Sequence, residues 1–172
     1  MPETALKINT LGDAVLRKKA KPVKEVTEGH RKLLNAMAEC MYIHSGIGLA
    51  APQVGVSEQL IVVDIGEGIC KLVNPKIVKR QGNQAIQEGC LSVPGASVKV
   101  KRAKQIWVEA LDENGRGVNM HAKDIFACVL QHEIDHLDGK LIVDYTSLLQ
   151  RMKIKKKVSA YRNTAGRAKL RL

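Results

Sequence analysis

The 172-residue chain has no Cys-x-x-Cys pair, no apolar run approaching the roughly 20 residues that a membrane span needs, and no acidic side chain after Asp144. Each absence excludes something. Without a paired motif, Cys40, Cys70, Cys90 and Cys128 read as separate thiols, suited to a reducing compartment rather than to a disulfide framework. The opening MPETALKINTLGD has no charged segment followed by an apolar one, so a leader is not expected, no membrane partner is expected, and the cytoplasm is the expected location. The missing acids make the net charge of +11 uneven: residues 1–150 carry 19 basic and 17 acidic side chains, whereas residues 151–172 carry nine basic and none acidic. The charge belongs to a C-terminal segment and says nothing about the fold. What remains, 45% apolar and 26% charged, is a globular composition in a length that suits one domain over 1–172.

Thr27 can cap a helix running to about Ser45, with Leu33, Leu34, Met37 and Met41 at helical spacing and Gly46 as the stop. The period then changes to that of strands, over Leu60 to Ile65, Lys71 to Lys79, Val98 to Arg102 and Ile106 to Leu111. Asp112-Glu113-Asn114-Gly115 marks a turn into a short strand near Val118 to His121. From Asp124, a plausible N-cap, the helical period returns through Ile125, Val129, Leu130 and Ile134 to a stop at Gly139. A last helix is predicted from about Ser147 to Tyr161, ending where Asn163-Thr164-Ala165-Gly166 breaks the pattern. The expected class is α+β: antiparallel β-sheets packed around a central metal-binding helix, with an N-terminal helix and a C-terminal helix.

The metal reading rests on His132-Glu133-Ile134-Asp135-His136. Two imidazoles four residues apart share one helix face and can reach one ion, and the carboxylate beside the first is better placed to move a proton than to act as a ligand. A catalytic ion typically takes a third protein ligand. Metalloendopeptidases with this motif place theirs downstream, but Ile142 stands where the histidine after Gly139 would be, and no His follows His136 and no Glu follows Glu133. Asp138 and Asp144 remain candidates. Cys128 lies one turn before His132, yet it is eight residues from His136, roughly 12 Å along a helix axis, too far for all three to converge. It reads as a buried helix cysteine. Cys90 lies in Glu88-Gly89-Cys90-Leu91-Ser92-Val93-Pro94, an irregular segment shaped by glycine and proline that can present a thiolate. His30, His44 and His121 lie outside these motifs and are expected at the surface or the core edge.

QHEIDHLDG and EGCLSVP together resemble the peptide deformylases, and GIGLAAPQVG at Gly46–Gly55 is similar to a third segment of that family. LGDAVLRKKAKPV is similar to its opening, so the resemblance covers the chain up to the basic end. It implies a hydrolase of protein biosynthesis and N-terminal processing that removes the N-formyl group from the initiator methionine of nascent polypeptides, releasing formate. It implies Cys90, His132 and His136 as metal ligands, Glu133 as general acid/base, and Gln53 with the Leu91 N–H as oxyanion donors. It implies one divalent ion, Fe2+ physiologically, with Zn2+, Ni2+ or Co2+ in purified protein. The substrate is expected as an added strand along Gly46, Ile47, Gly48 and Gly89. Its methionine would lie in a pocket of Ile47, Ile125 and Val129, with Glu88 and Gly89 at the rim. One departure stands out: Ser97 occupies a position where many bacterial members carry an arginine that holds the downstream substrate backbone, and Lys99 or Arg102 are its possible substitutes.

The basic segment 151–172 offers either a solvated helix face or a contact with the ribosome, whose RNA phosphates it would bind by counterion release. No DNA partner is expected. Two other function classes compete. An RNA-binding module with a structural zinc site leaves Glu133 and Gln53 idle and lacks a fourth ligand, and a zinc endopeptidase lacks its downstream His or Glu.

Overall fold

Hydrophobic side chains alternate along the strands of the main sheet, and the alternation decides what each face carries. The computed structural model describes residues 6–169, with helix α1 at Glu28–Ile43, strands β1 at Gly48–Ala50, β2 at Leu60–Val63, β3 at Cys70–Gln81, β4 at Gln84–Gly89, β5 at Ser97–Arg102, β6 at Gln105–Leu111 and β7 at Gly117–Lys123, and helices α2 at Asp124–Leu137 and α3 at Leu148–Lys169. Five strands form an antiparallel sheet in the order β1-β2-β3-β6-β7, and β4 pairs with β5 as a separate hairpin. The fold is α+β. Ile61, Val63 and Leu72 pack with Ile106, Val108, Val129 and Leu130, joining one face of the sheet to α2. Leu60, Val62 and Val73 turn the other way, onto Leu34, Met37 and Met41 of α1. A period of two in β2 thus binds a helix on each side.

The β4–β5 hairpin is held by a third cluster, in which Val93, Val98 and Val100 meet Ile142, Val143 and, from α3, Ile154 and Val158. The first turn of α1 is closed by Thr27, whose backbone N–H donates to Nδ1 of His30 at 3.0 Å. No helix among the described residues is long and apolar enough to cross a membrane.

Several expectations shift. The left-handed residue that ends α1 is Ser45, φ +54°, rather than Gly46. Asp124 is the first residue of α2, with φ +50°, and Lys123 is the N-cap. The last helix does not stop at Tyr161 but runs to Lys169. Thr164 Oγ1 donates to the Tyr161 carbonyl at 2.9 Å and the Arg162 guanidinium bonds to Asp13 at 2.8 Å, so the turn after Tyr161 is tied down. One helical glycine costs only about 1 kcal/mol. Strands β1 and β4 carry no alternating apolar signal and are visible only in the fold. Residues 170–172 of the basic segment and 1–5 of the opening lie outside the described residues.

Candidate metal centre

Four-residue spacing on α2 brings His132 Nε2 and His136 Nε2 to 3.2 Å from each other, and Cys90, the residue after β4, puts its Sγ 3.4 Å from His136 Nε2. All three atoms lie within 4.8 Å of one another. Bond lengths and tetrahedral angles at a zinc-sized ion separate two imidazole nitrogens by roughly 3.4 Å, and nitrogen from thiolate sulfur by roughly 3.6 Å. The residues fit such an ion. Asp138 and Asp144, the downstream alternatives, are engaged elsewhere, Asp138 near Lys19 at 3.6 Å and Asp144 with Arg17 at 2.6 Å. Burial drives His136 well below the usual imidazole range, and His132 pushes it further down. Burial opposes charge on His132 too, but its bonds to Cys90 and Glu88 reverse the sign and hold it well above that range.

Behind His132 stands a buried relay. Glu88 Oε2 accepts from His132 Nδ1 at 2.9 Å, which leaves Nε2 facing the cluster. Arg102 clamps Glu88 bidentately, Nε to Oε1 at 2.8 Å and a second nitrogen to Oε2 at 2.9 Å, and gives its third bond to Asp135 at 2.6 Å. The Tyr145 hydroxyl closes the chain by donating to the same Asp135 oxygen at 2.6 Å. One expectation is corrected here: Arg102 cannot substitute for a substrate-holding arginine, because its guanidinium faces inward. Glu88, 7% exposed, also borders the adjoining cavity, with its carboxylate turned to Arg102 and His132. Ser97 instead accepts from Gln87 Nε2 at 2.9 Å.

Burial alone would raise the Glu88 carboxyl, but hydrogen bonds from Arg102 and His132 win and bring it down to about 2. A depressed carboxyl stabilises the fold above its unfolded value near 4.5, and this stability is lost as pH falls toward 2. For the metal-free protein, urea unfolding is expected to show a Glu88→Gln variant less stable than wild type at pH 6. That gap shrinks by about 3 kcal/mol at pH 2. A gap independent of pH would contradict the relay.

Glu133 is 3% exposed, with Oε2 lacking a protein partner among the described residues, and burial pushes its carboxyl up to about 7 despite the opposing charge of His132. Gly48 packs directly on it: a Cβ at 48 would lie 2.8 Å from Glu133 Cδ and overlap Oε1. A Gly48→Ala variant should therefore fold but displace the carboxylate, lowering turnover about 10²-fold in a steady-state assay. Gln53 is also buried. Its Oε1 accepts from the Ala50 N–H at 2.8 Å, which turns Nε2 toward Ser92 Oγ at 3.1 Å and Cys90 Sγ at 3.7 Å. Among the described residues the Leu91 N–H meets no protein acceptor.

A cavity of about 650 Å3 opens beside this group, lined by Gly46, Ile47, Gly48, Gly89, Ile125 and Val129 among others. It lies between two strand edges, β1 of the main sheet and β4 of the hairpin. Ile125 is 46% exposed, so core packing does not account for it, and Ile47 is similar at 48%. Cys128 is buried, with its thiol pushed up to about 11 by burial, and it borders the cavity outside the ligand group. His44 and Tyr161 also border the cavity, and sequence reasoning attached neither to the site.

A family model described as polypeptide deformylase matches residues 5–152. The peptide deformylase of Syntrophomonas wolfei is 52% identical over 135 residues, 78% of this chain and 89% of that protein. The crystal structure of a peptide deformylase from Legionella pneumophila is 44% identical, covers 94% of this chain and 97% of that one, and superposes with a TM-score of 0.90. A peptide deformylase from Ehrlichia chaffeensis in complex with actinonin is 37% identical and covers 92% of this chain and 98% of its own, also at a TM-score of 0.90.

Proposed function

Because this chain belongs to the peptide deformylase family, we propose that Cys90, His132 and His136 hold its metal and that Glu133, Gln53 and the Leu91 N–H carry the reaction. The chain is a metal-dependent hydrolase that removes the N-formyl group from the initiator methionine of nascent polypeptides, releasing formate. The observation that carries the residue assignment is the convergence of one thiol and two imidazole nitrogens on one point beside a buried carboxyl. We read residues 1–172 as one domain, with 151–172 as its basic C-terminal helix.

When bound, the ion supplies Lewis acidity that polarises the formyl carbonyl and acidifies the attacking water. Glu133 handles the proton. Its buried carboxyl, which lies beside His132, accepts the water's proton as the C–O bond forms and returns it to nitrogen as the C–N bond breaks. Gln53 Nε2 and the Leu91 N–H donate to the charge that grows on the formyl oxygen, each worth on the order of 3 kcal/mol of barrier. The formylated chain lies as a strand between β1 and β4, pairing with main chain at Gly46, Ile47 and Gly48 on one side and at Glu88 and Gly89 on the other. Its methionine side chain rests on Ile47, Ile125 and Val129. Formate release from formyl-Met-Ala-Ser tests the reading, and cleavage of internal peptide bonds in place of formate release would overturn it.

We assign ferrous iron as the physiological ion, the cytoplasm as the location, and the ribosome as a partner of α3. The exposed Lys153, Lys155 and Lys156 support the ribosome contact, since these cations stand clear of the core. Deleting 151–172 would confuse the test by removing Ile154 and Val158 from the third cluster. Changing the three lysines to alanine is expected to weaken sedimentation with ribosomes, most strongly at low salt, and to flatten its salt dependence, with turnover of a short formylated peptide retained. Unchanged sedimentation rules the contact out.

A further inference from the structure

Tyr161 of α3 lines the same cavity as Cys90, His132 and Glu133, although it lies outside the residues 5–152 that the family model matches. Its position is fixed from three sides. Ile154 and Val158 anchor the helix face in the cluster with Val93, Val98 and Val100. Lys157 Nζ, one turn before Tyr161, donates to the Gly95 carbonyl at 3.3 Å, and Arg162, the next residue, bonds to the Leu11 carbonyl at 3.2 Å and to Asp13 at 2.8 Å. Residues four apart share a helix face, so Tyr161 stands over the segment Pro94–Ala96 that Lys157 holds. At 54% exposed it forms the mouth of the cavity and not its floor.

The walls divide by chemistry. The thiol, imidazoles and Glu133 take the formyl end, and Ile47, Ile125 and Val129 take the methionine side chain; of the remaining lining, which also includes His44, Ser45, Ile86 and Gln87, Tyr161 and the Pro94–Ala96 segment are the part that α3 supplies or holds. We propose that the Tyr161 ring is a specificity-determining surface for the third residue of the formylated chain, favouring an apolar or aromatic side chain there. A rigid aromatic on a clamped helix offers contact area without an ordering cost, the trait that concentrates binding energy in such residues. The proposal rests on the deformylase reading above and adds to it a contact made by the C-terminal helix.

The test compares kcat/KM on formyl-Met-Ala, formyl-Met-Ala-Ser and formyl-Met-Ala-Phe, using the metal-loaded full chain. Wild type should favour the phenylalanine peptide over the other two. In Tyr161→Ala, and equally in Tyr161→Gln, which keeps a good helix former, the ratio of the phenylalanine peptide to formyl-Met-Ala should fall about fivefold, carried by KM. Tyr161→Phe should keep the wild-type ratio. A ratio unmoved in both the alanine and the glutamine variants, with melting temperatures matching wild type, overturns the subsite. No formate release by wild type from any of the three peptides would instead overturn the deformylase reading, so the two failures are distinct.

Discussion

Replacing Glu133 by alanine should lower formate release about 10³-fold while leaving bound metal at one ion per chain. General acid–base groups contribute roughly 10²- to 10⁴-fold, and among the described residues no second carboxylate borders the cavity unengaged, since Glu88 is clamped by Arg102 and bonded to His132. Metal content is expected to hold because, among the described residues, the converging atoms come from Cys90, His132 and His136. A stability signature accompanies the loss. A carboxyl raised to about 7 contributes stability below its unfolded value of 4.5 that is lost as pH rises through 7. Metal-free Glu133→Gln should therefore gain on wild type between pH 5 and pH 8, read as urea midpoints. An alanine variant retaining a tenth or more of wild-type turnover would remove Glu133 from the reaction.

Stripping the ion with a chelator should abolish formate release, to under a hundredth of the starting rate, and lower the melting temperature. An ion present at a thousandfold over its dissociation constant stabilises the native state by about 4 kcal/mol, and that contribution disappears with it. Adding Fe2+ anaerobically should restore turnover, and Zn2+, Ni2+ or Co2+ should restore it to differing extents. Full turnover on zinc, with no iron enrichment after anaerobic purification, would sink the assignment of iron. Cys90→Ala should not recover with any added ion, because two imidazoles alone leave the site short of its third ligand.

The parts of the fold legible in the sequence are those whose signal is local. The spacing of Leu34, Met37 and Met41 marks α1, and valine and isoleucine mark β2 and β6. Strand β4 leaves no such mark because Gln84–Gly89 is largely polar, and it is a strand only because β5 pairs with it residue by residue. Likewise β1 is three residues held by β2. At the site, the histidine pair is local and legible, whereas Cys90 reaches it across 46 positions through the turn after β4, which no helical or strand period encodes. Arg102 did leave a trace. Val98, Val100 and Arg102 alternate inward along β5, and an arginine at an inward position demands buried acids. Its partners Glu88 and Asp135 come from different elements, so only the fold identifies them.

The cavity between the edges of β1 and β4 has a consequence for timing. Under the proposed strand addition, a slot walled by two strand edges receives a chain only as a lone extended backbone, since a segment already wound into a helix or paired in a sheet has no free amides to offer it. A protein that tucks its first residues into its own structure thereby withdraws them from deformylation. Formyl removal is in a race with the folding of its own substrate, and is won only while the amino terminus is still a single, unpaired strand.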